Sequence, residues 1–379
     1  MNAHAAAIVL DERVEVVRGP ERLAAIEGEW TRLWGETDAL VFQSHGWISA
    51  WWRAAGAASD AKLRIGLVWR GERLVAVVPL AIARRKGVRF LEWAAAAYSD
   101  YGDILRAPGC SDEALGRLWE AMRKGGGFDL VFINRLAPKA AANAIFGPSG
   151  PHGAGFRANH RREESSRIGG EWKDGAAWLA SHPKKPRQNY RRGIKQMEET
   201  GPVRFRMLDP DEPRGPVLER LAALKRGSLE GKEHASPLFD PGSGVLAALV
   251  DVLAQAGILR LFVIEVGDKA VAISVNFVQR GTLMAWVTTY DPAFARASPG
   301  TVLIYDYVQW AFDQGLHTVD LLCGGEAFKD RLATHTETLS SVTLARTVKG
   351  SLALLADGLR RRLRERGATD AAAPAAEAS

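Results

Sequence analysis

The stretch Trp286–Asp330, WVTTYDPAFARASPGTVLIYDYVQWAFDQGLHTVDLLCGGEAFKD, concentrates residue types that can do chemistry. A strand-like run leads into a loop holding Arg296, Ser298, Pro299, Gly300 and Thr301, and that loop opens a helix. Such a junction exposes backbone N–H groups at the positive end of a helix dipole, which is what an anion needs. Gly300 lets a phosphate approach the backbone closely, Ser298 or Thr301 can cap, and Arg296 adds charge. An ordinary N-cap looks the same, because Ser-Pro is a common way to begin a helix. Cys323 puts a thiol at a strand end, but the nearest histidine, His317, lies at the other end of that strand, so a buried strand cysteine is expected. Asp100, Tyr101 and Asp103 sit together in a short connection, where solvated carboxylates at an edge turn are the simplest outcome. His234, in LEGKEHASPLF, falls in a loop between helices. Cys110 and Cys323 are the only cysteines, and no CxxC or Cys/His cluster implies a metal.

The elements that must position these residues follow from periodicity. Glu21–Trp34 has apolar residues at three- and four-residue spacings, as an amphipathic helix does, and a second helix carries Trp47, Trp51 and Trp52. Strands are expected at Leu63–Trp69, Leu74–Ala83 and Val88–Trp93, then a helix at Asp112–Lys124 stopped by three glycines, then a buried strand at Phe128–Ile133. Arg157–Gly170 is dense in charge and takes no clear assignment. Helices follow at Gly175–Ser181, through the basic stretch to Thr200, at Asp211–Ser228 and at Gly244–Ala256. Leu259–Val266, Ala270–Gln279 and Thr282–Thr289 read as an antiparallel meander with tight connections. A helix at Gly300–Gln314, strands at Thr318–Leu322 and Glu337–Arg346, and a basic helix from about Ser351 complete the chain. The fold class is α/β (α+β), in two tandem halves, each a mixed and mostly antiparallel sheet flanked by helices. The expected boundaries are 1–150, 151–347, a basic amphipathic helix at 348–367, and a disordered tail at 368–379.

Charge is local. The chain of 379 residues has a formal net charge of +6. KKPRQNYRRGIK, residues 184–195, holds six basic residues and no acid, so it accounts for the whole excess. A solvated helix face, a nucleic-acid contact or capture of a phosphate-bearing molecule could each use it. With one aromatic, Tyr190, and a neutral remainder, nucleic acid is disfavoured. In the last helix Leu352, Leu355, Leu359 and Leu363 form a stripe, with Arg360, Arg361, Arg362, Arg364 and Arg366 around it. Such a helix either packs on the domain or lies on an anionic membrane surface. The N-terminus has no basic start and is a poor signal peptide, and no apolar run is long enough to span a bilayer. A cytoplasmic protein is expected, with peripheral contact at the inner membrane.

Taken in order, FQSHGWISAWWRA, RLVAVVPLAIAR, YSDYGDIL, KKPRQNYRRGIKQMEETG, YDPAFARASPGTVLIYDYV and DLLCGGEAFKDRLA resemble the GNAT acyl-CoA transferase superfamily. The branch is the CelD/BcsL-like one, some of whose bacterial members resemble ceramide synthases, and FemABX-type transferases built from two GNAT-like halves are more distant. The resemblance implies an N-terminal half that shapes the acceptor site and a C-terminal half that binds acyl-CoA as co-substrate, with no permanent cofactor. Coenzyme A would lie along Val287 and Thr288, with its pyrophosphate at Arg296, Ser298, Gly300, Thr301 and Val302. The usual phosphate loop is matched only in part. Base or acid candidates are Tyr290, Asp291, Asp320, Glu326, Lys329 and, in the region of the substrate loops, His234; Phe328 stands where relatives often have a tyrosine, for which Tyr305 or Tyr307 could substitute. Asp100, Tyr101 and Asp103 would shape the acceptor cleft. The implied reaction is acyl transfer to an amine or hydroxyl of a lipid or envelope precursor, with N-acylation of a sphingoid long-chain base as the sharper version. Exopolysaccharide acetylation, aminoacyl transfer from tRNA and a non-catalytic binding module are the alternatives.

Overall fold

The structure is a computed structural model in which residues 12–147, 153, 155–230 and 236–372 are described, with side chains as far as Leu363. Fourteen strands are present among these residues: β1 (Glu12–Val17), β2 (Lys62–Arg70), β3 (Arg73–Arg85), β4 (Val88–Trp93), β5 (Leu105–Arg106), β6 (Leu130–Leu136), β7 (Arg157–Ala158), β8 (Glu163–Gly169), β9 (Val203–Met207), β10 (Leu259–Val266), β11 (Lys269–Gln279), β12 (Thr282–Tyr290), β13 (Thr318–Cys323) and β14 (His335–Ala345). They form one continuous sheet in the order β1-β2-β3-β4-β6-β14-β8-β13-β12-β11-β10-β9, with β5 on β3 and β7 on β14.

Two similar halves meet in that sheet. In each, an antiparallel series ends in a parallel pair, β4 with β6 and β12 with β13. Each half then lends its last strand to the other. β8 lies antiparallel beside β13, β14 lies antiparallel beside β6, and the two lent strands pair with each other at the centre. The helix Asp112–Lys124 covers one face of the N-terminal half over a core containing Leu91, Val131 and Ile133. The helix Pro299–Asp313 covers the corresponding face of the C-terminal half over Leu283, Val319 and Leu321. A third core, with Trp47, Phe42, Phe277 and Val287, is shared by both halves and locks them together. Burial on this scale stabilises by roughly 25 cal/mol per Å² of apolar surface, so the shared core makes the halves interdependent.

Most expected elements are present, some with the same bounds, such as Asp112–Lys124, Gly175–Ser181 and Leu259–Val266. Glu21–Trp34 is not one helix: the chain breaks at Ile26 into Pro20–Ala25 and Glu27–Glu36. Arg157–Gly170 resolves into β7 and β8. The last helix runs Val348–Ala372, past the expected end at residue 367, and residues 373–379 lie outside the described residues. Among the described residues no helix is long and apolar enough to cross a membrane.

Candidate functional site

The parallel pair β12–β13 is short. Only Thr282–Met284 and Thr318–Asp320 are in register, after which β12 continues to Tyr290 with one edge unpaired. A splayed parallel pair leaves backbone donors and acceptors free to bond an extended ligand. Val287 and Thr288 lie on this free stretch: Val287 points into the shared core, and Thr288 accepts or donates a 2.7 Å bond with Ser274 on the other face.

On the helix side of the splay, a short turn, Pro292–Ala297, leads to Ser298, which is left-handed (φ 51°, ψ 52°) and begins the helix Pro299–Asp313. Ser298 does not cap through its hydroxyl; its carbonyl instead accepts the Thr301 and Val302 amides at 2.9 and 3.1 Å. The Gly300 amide is thereby left at the open end of the first turn. A side chain at Gly300 would put Cβ 2.9 Å from the Tyr290 ring, so Tyr290 packs directly over the helix start. The basic helix, Lys184–Glu198, faces this turn so closely that a Cβ on Gly193 would be 2.5 Å from the Ala297 carbonyl oxygen. Tyr190 stacks on Tyr305 (5.4 Å, 24°) and donates to Asp306 at 2.6 Å, which pins the two helices together. Burial pushes the Asp306 carboxyl up to about 6.

Between them lies a cleft of about 650 Å³, lined by Lys185, Arg192, Gln196, Arg296, Thr301 and Arg331 among others. None of its four cationic residues makes an ion pair among the described residues, and the buried Gln196 carbonyl oxygen has no hydrogen-bond partner. The segment that carries the net charge and the helix opening read as an anion site therefore face one cavity. The arrangement fits a large polyanionic ligand with one further donor group.

On the opposite side of β13 the halves meet in a polar cluster. Tyr101 donates to Asp320 Oδ2 at 2.7 Å, Arg167 Nε donates to the same oxygen at 3.0 Å, and Leu322 N donates to Oδ1 at 2.8 Å. Ser165 bonds both Tyr101 and Asp320. Asp320 is 1% exposed and its lone pairs are committed to these donors. Burial first, then the Asp320 charge, pushes the Tyr101 phenol far up, so it stays protonated. Lys329 is also buried; its ammonium donates to the Leu322 and Cys323 carbonyls at 3.3 and 2.7 Å and pairs with the exposed Glu326 at 3.0 Å. Gly324 sits there at φ 140°, a backbone conformation that L side chains rarely adopt.

Asp100 differs from these. Its backbone carbonyl accepts the Cys323 thiol at 3.0 Å, but its carboxylate has no hydrogen bond among the described residues, although it remains partly accessible. Burial pushes it up to about 6, against the opposing pull of Arg135 and Lys329. Arg135, which pairs with Glu163 at 2.8 Å, sits beside it at φ 57°.

The remaining expected residues fall elsewhere. Asp103 accepts the Ile104 and Ala142 amides and staples a loop away from the cluster. Asp291 is buried between Lys269 and Arg220, at 2.6 and 2.7 Å, and caps the Pro292 turn; burial opposes its ionisation, but those partners hold it below the usual carboxylate range. Tyr307 is core, whereas Tyr305 lines the cleft. Cys323 is a protonated thiol, raised chiefly by burial. His234 lies outside the described residues. Arg135, Ser165 and Arg167 were not singled out from sequence; the alternation Glu163, Ser165, Arg167 was the available signal.

Residues 184–330 match the family of the acetyltransferase (GNAT) domain. The match opens on the first residue of the basic helix and ends just after Lys329, so it spans both walls of the cleft and the C-terminal part of the cluster. The chain carries an acyltransferase domain of this kind. Among solved structures it is similar to FemX (TM-score 0.56, 10% identity, covering 83% of this chain and 95% of that one). It is also similar to the C-terminal domain of a putative lysylphosphatidylglycerol synthetase from Agrobacterium fabrum (0.54, 12%, 88% and 95%) and to L-PGS from Bacillus licheniformis (0.52, 14%, 89% and 96%). At these identities the likeness is one of fold. No curated protein matches the sequence.

Proposed function

We propose that the chain transfers an acyl group from coenzyme A to an amine or hydroxyl of a lipid or cell-envelope precursor. The observation that carries this is the pairing of an unneutralised basic cleft on one side of the β12–β13 splay with a carboxylate-rich cluster on the other. Coenzyme A fits the first: its phosphates meet Arg296, Lys185, Arg192 and the Ser298–Val302 helix start, and its extended arm follows the free β12 edge at Val287 and Thr288. The thioester then emerges beside Asp100 and Tyr101. The cluster of Asp100, Glu163, Asp320, Glu326 and Glu337 against Arg135, Arg167 and Lys329 has two more acids than bases, which favours an amine acceptor.

Asp100 serves as general base. Its unbonded carboxylate, raised towards neutrality, suits proton removal better than Asp320, whose oxygens are occupied. The acceptor nitrogen attacks the thioester carbon, a C–N bond forms, the C–S bond breaks, and the proton given up by nitrogen ends on the departing thiolate or in solvent. Asp320 and Arg167 position Tyr101 against the acceptor, Lys329 fixes the bend at Leu322–Cys323 with Glu326 as its partner, and Tyr290 covers the helix start. N-acylation of a sphingoid long-chain base, as in the CelD/BcsL-like branch, is the specific version. A lipid acceptor would be met at the inner membrane surface, with the basic C-terminal helix as the element available for contact.

A thiol-release assay across acyl-CoAs of different chain length, with sphingoid bases and amino sugars as acceptors, tests this. Free thiol formed with long acyl chains and a long-chain base supports the lipid version, and none with any donor sinks the acyl-transfer proposal. Transfer from aminoacyl-tRNA is the second reading, favoured by the basic helix and the FemX-like fold. It requires that charge reversal at Lys184, Lys185, Arg191 and Arg192 abolish a salt-dependent RNA affinity.

A further inference from the structure

Six large apolar side chains are exposed among the described residues, and five of them lie on one helix: Val348, Leu352, Leu355, Leu359 and Leu363, each 59–79% exposed. At 3.6 residues per turn these five fall on a single narrow stripe. The rotation of the helix is fixed by its other side. A Cβ on Gly350 would sit 2.1 Å from the Asp129 carbonyl oxygen, so this glycine lies flat on the body. The Arg346 and Thr347 amides donate to that same carbonyl at 2.9 and 3.2 Å. Farther along, Asp357 faces inward to Arg161 at 3.3 Å. The stripe therefore points directly away from the body, and nothing among the described residues covers it.

The charges around the stripe say what would cover it. Among the helix residues whose side chains are described, 348–363, Asp357 is the one carboxylate and is turned to the body, Arg360 and Arg362 stand exposed beside the leucines, and Glu365 and Asp370 follow farther along. A second copy packing its stripe on this one would bring arginine against arginine, because flanks of both signs are needed to pair helices. A flat surface that is apolar below and anionic above satisfies both the leucines and the arginines. We propose that the helix Val348–Ala372 docks the protein on an anionic phospholipid bilayer, with the leucine stripe in the acyl boundary and the arginines at the headgroups. The inference goes beyond the acyl-transfer proposal and does not depend on it.

Co-sedimentation of the full chain with vesicles, without any substrate, tests it. Vesicles of phosphatidylcholine containing phosphatidylglycerol should pellet the protein, and phosphatidylcholine alone should retain much less. The double variant Leu355→Ser/Leu359→Ser should weaken binding by at least about tenfold, and Arg360→Gln/Arg362→Gln by about tenfold, the latter only on anionic vesicles at low salt. Both pairs are exposed, so an unchanged melting temperature will show that the fold is intact. Failure of the full chain to pellet, or leucine variants that bind as well as the native chain, would overturn the proposal. So would a native dimer in sedimentation velocity that the leucine variants split, since it assigns the stripe to a second copy. Vesicle binding without thiol release would leave the docking standing and remove the acyl-transfer proposal alone.

Discussion

The two halves of the sheet share a frame and differ at the positions where chemistry would occur. Counting from the matched parallel pairs, Leu91 with Val131 and Leu283 with Val319, Phe132 occupies in the first half the place of Asp320 in the second. Both strands are bulged against the strand lent to them, and both hold a left-handed residue there, Arg135 and Leu322. The covering helices diverge more. Asp112–Lys124 is capped by the Ser111 side chain and has Asp112 and Glu113 in its first turn, so its positive end is already satisfied. Pro299–Asp313 has no side-chain cap, no acid in its first turn, and basic residues across the cleft. On the proposed reading, the C-terminal half keeps an anion site and the N-terminal half contributes Asp100 and Tyr101 instead. Duplication of a frame does not duplicate its site.

The largest expected effect is at the residue the first half contributes. Asp100→Asn should lower kcat by about 10²- to 10⁴-fold, the usual range for a general base. In the native protein the rate should rise with pH and level off above about 6, since the base must be ionised. Stability should move the other way. A carboxyl raised in the folded state favours folding when neutral, so that contribution is lost as pH climbs from the unfolded value near 4 through about 6. At pH 7 Asp100→Asn should therefore stabilise by about 1–2 kcal/mol in a denaturant titration. A slower and less stable variant would mean that Asp100 is structural.

Next comes the contrast between helix starts. Arg296→Glu with Lys185→Glu should raise KM for acyl-CoA by about 10- to 100-fold, less at high salt, with kcat little changed. Neutralising the other half, Asp112→Asn with Glu113→Gln, should leave the donor KM unaltered. A smaller effect is expected where the cleft is held closed. Gly193→Ala forces a Cβ against the Ala297 backbone and should cost about 1–3 kcal/mol in thermal unfolding, together with weaker donor binding. Smallest is Ser298→Gly, which relieves a left-handed serine and should stabilise by a few tenths to about 1 kcal/mol.

Elements with strong periodicity and glycine punctuation were legible in the sequence. The β10–β12 meander is one case, with Arg280 and Gly281 both at positive φ in its second turn, and the helix closed by Gly125–Gly127 is another. β8 was not legible, because EESSRIG owes its burial to β13 and β14 lying on either side, with its serines buried and Arg167 half-buried in the cluster they join. The edge strands β1 and β9 are short and charged, which hides them for the opposite reason. The loop at Arg296–Thr301 could be read as an anion site because helix starts are local. Its convergence with residues 184–196 could not, nor could the joining of Tyr101, Ser165, Arg167 and Asp320, which are brought together only by the exchange of strands.

Hydrogen–deuterium exchange with and without coenzyme A compares the halves most directly. Protection should appear along Lys184–Glu198, at the free β12 edge and at Gly300–Val302, with none at β4 or the start of the Asp112–Lys124 helix. Protection centred on β4 and β6, or no change anywhere at saturating coenzyme A, would contradict the assignment of the donor site to the C-terminal half.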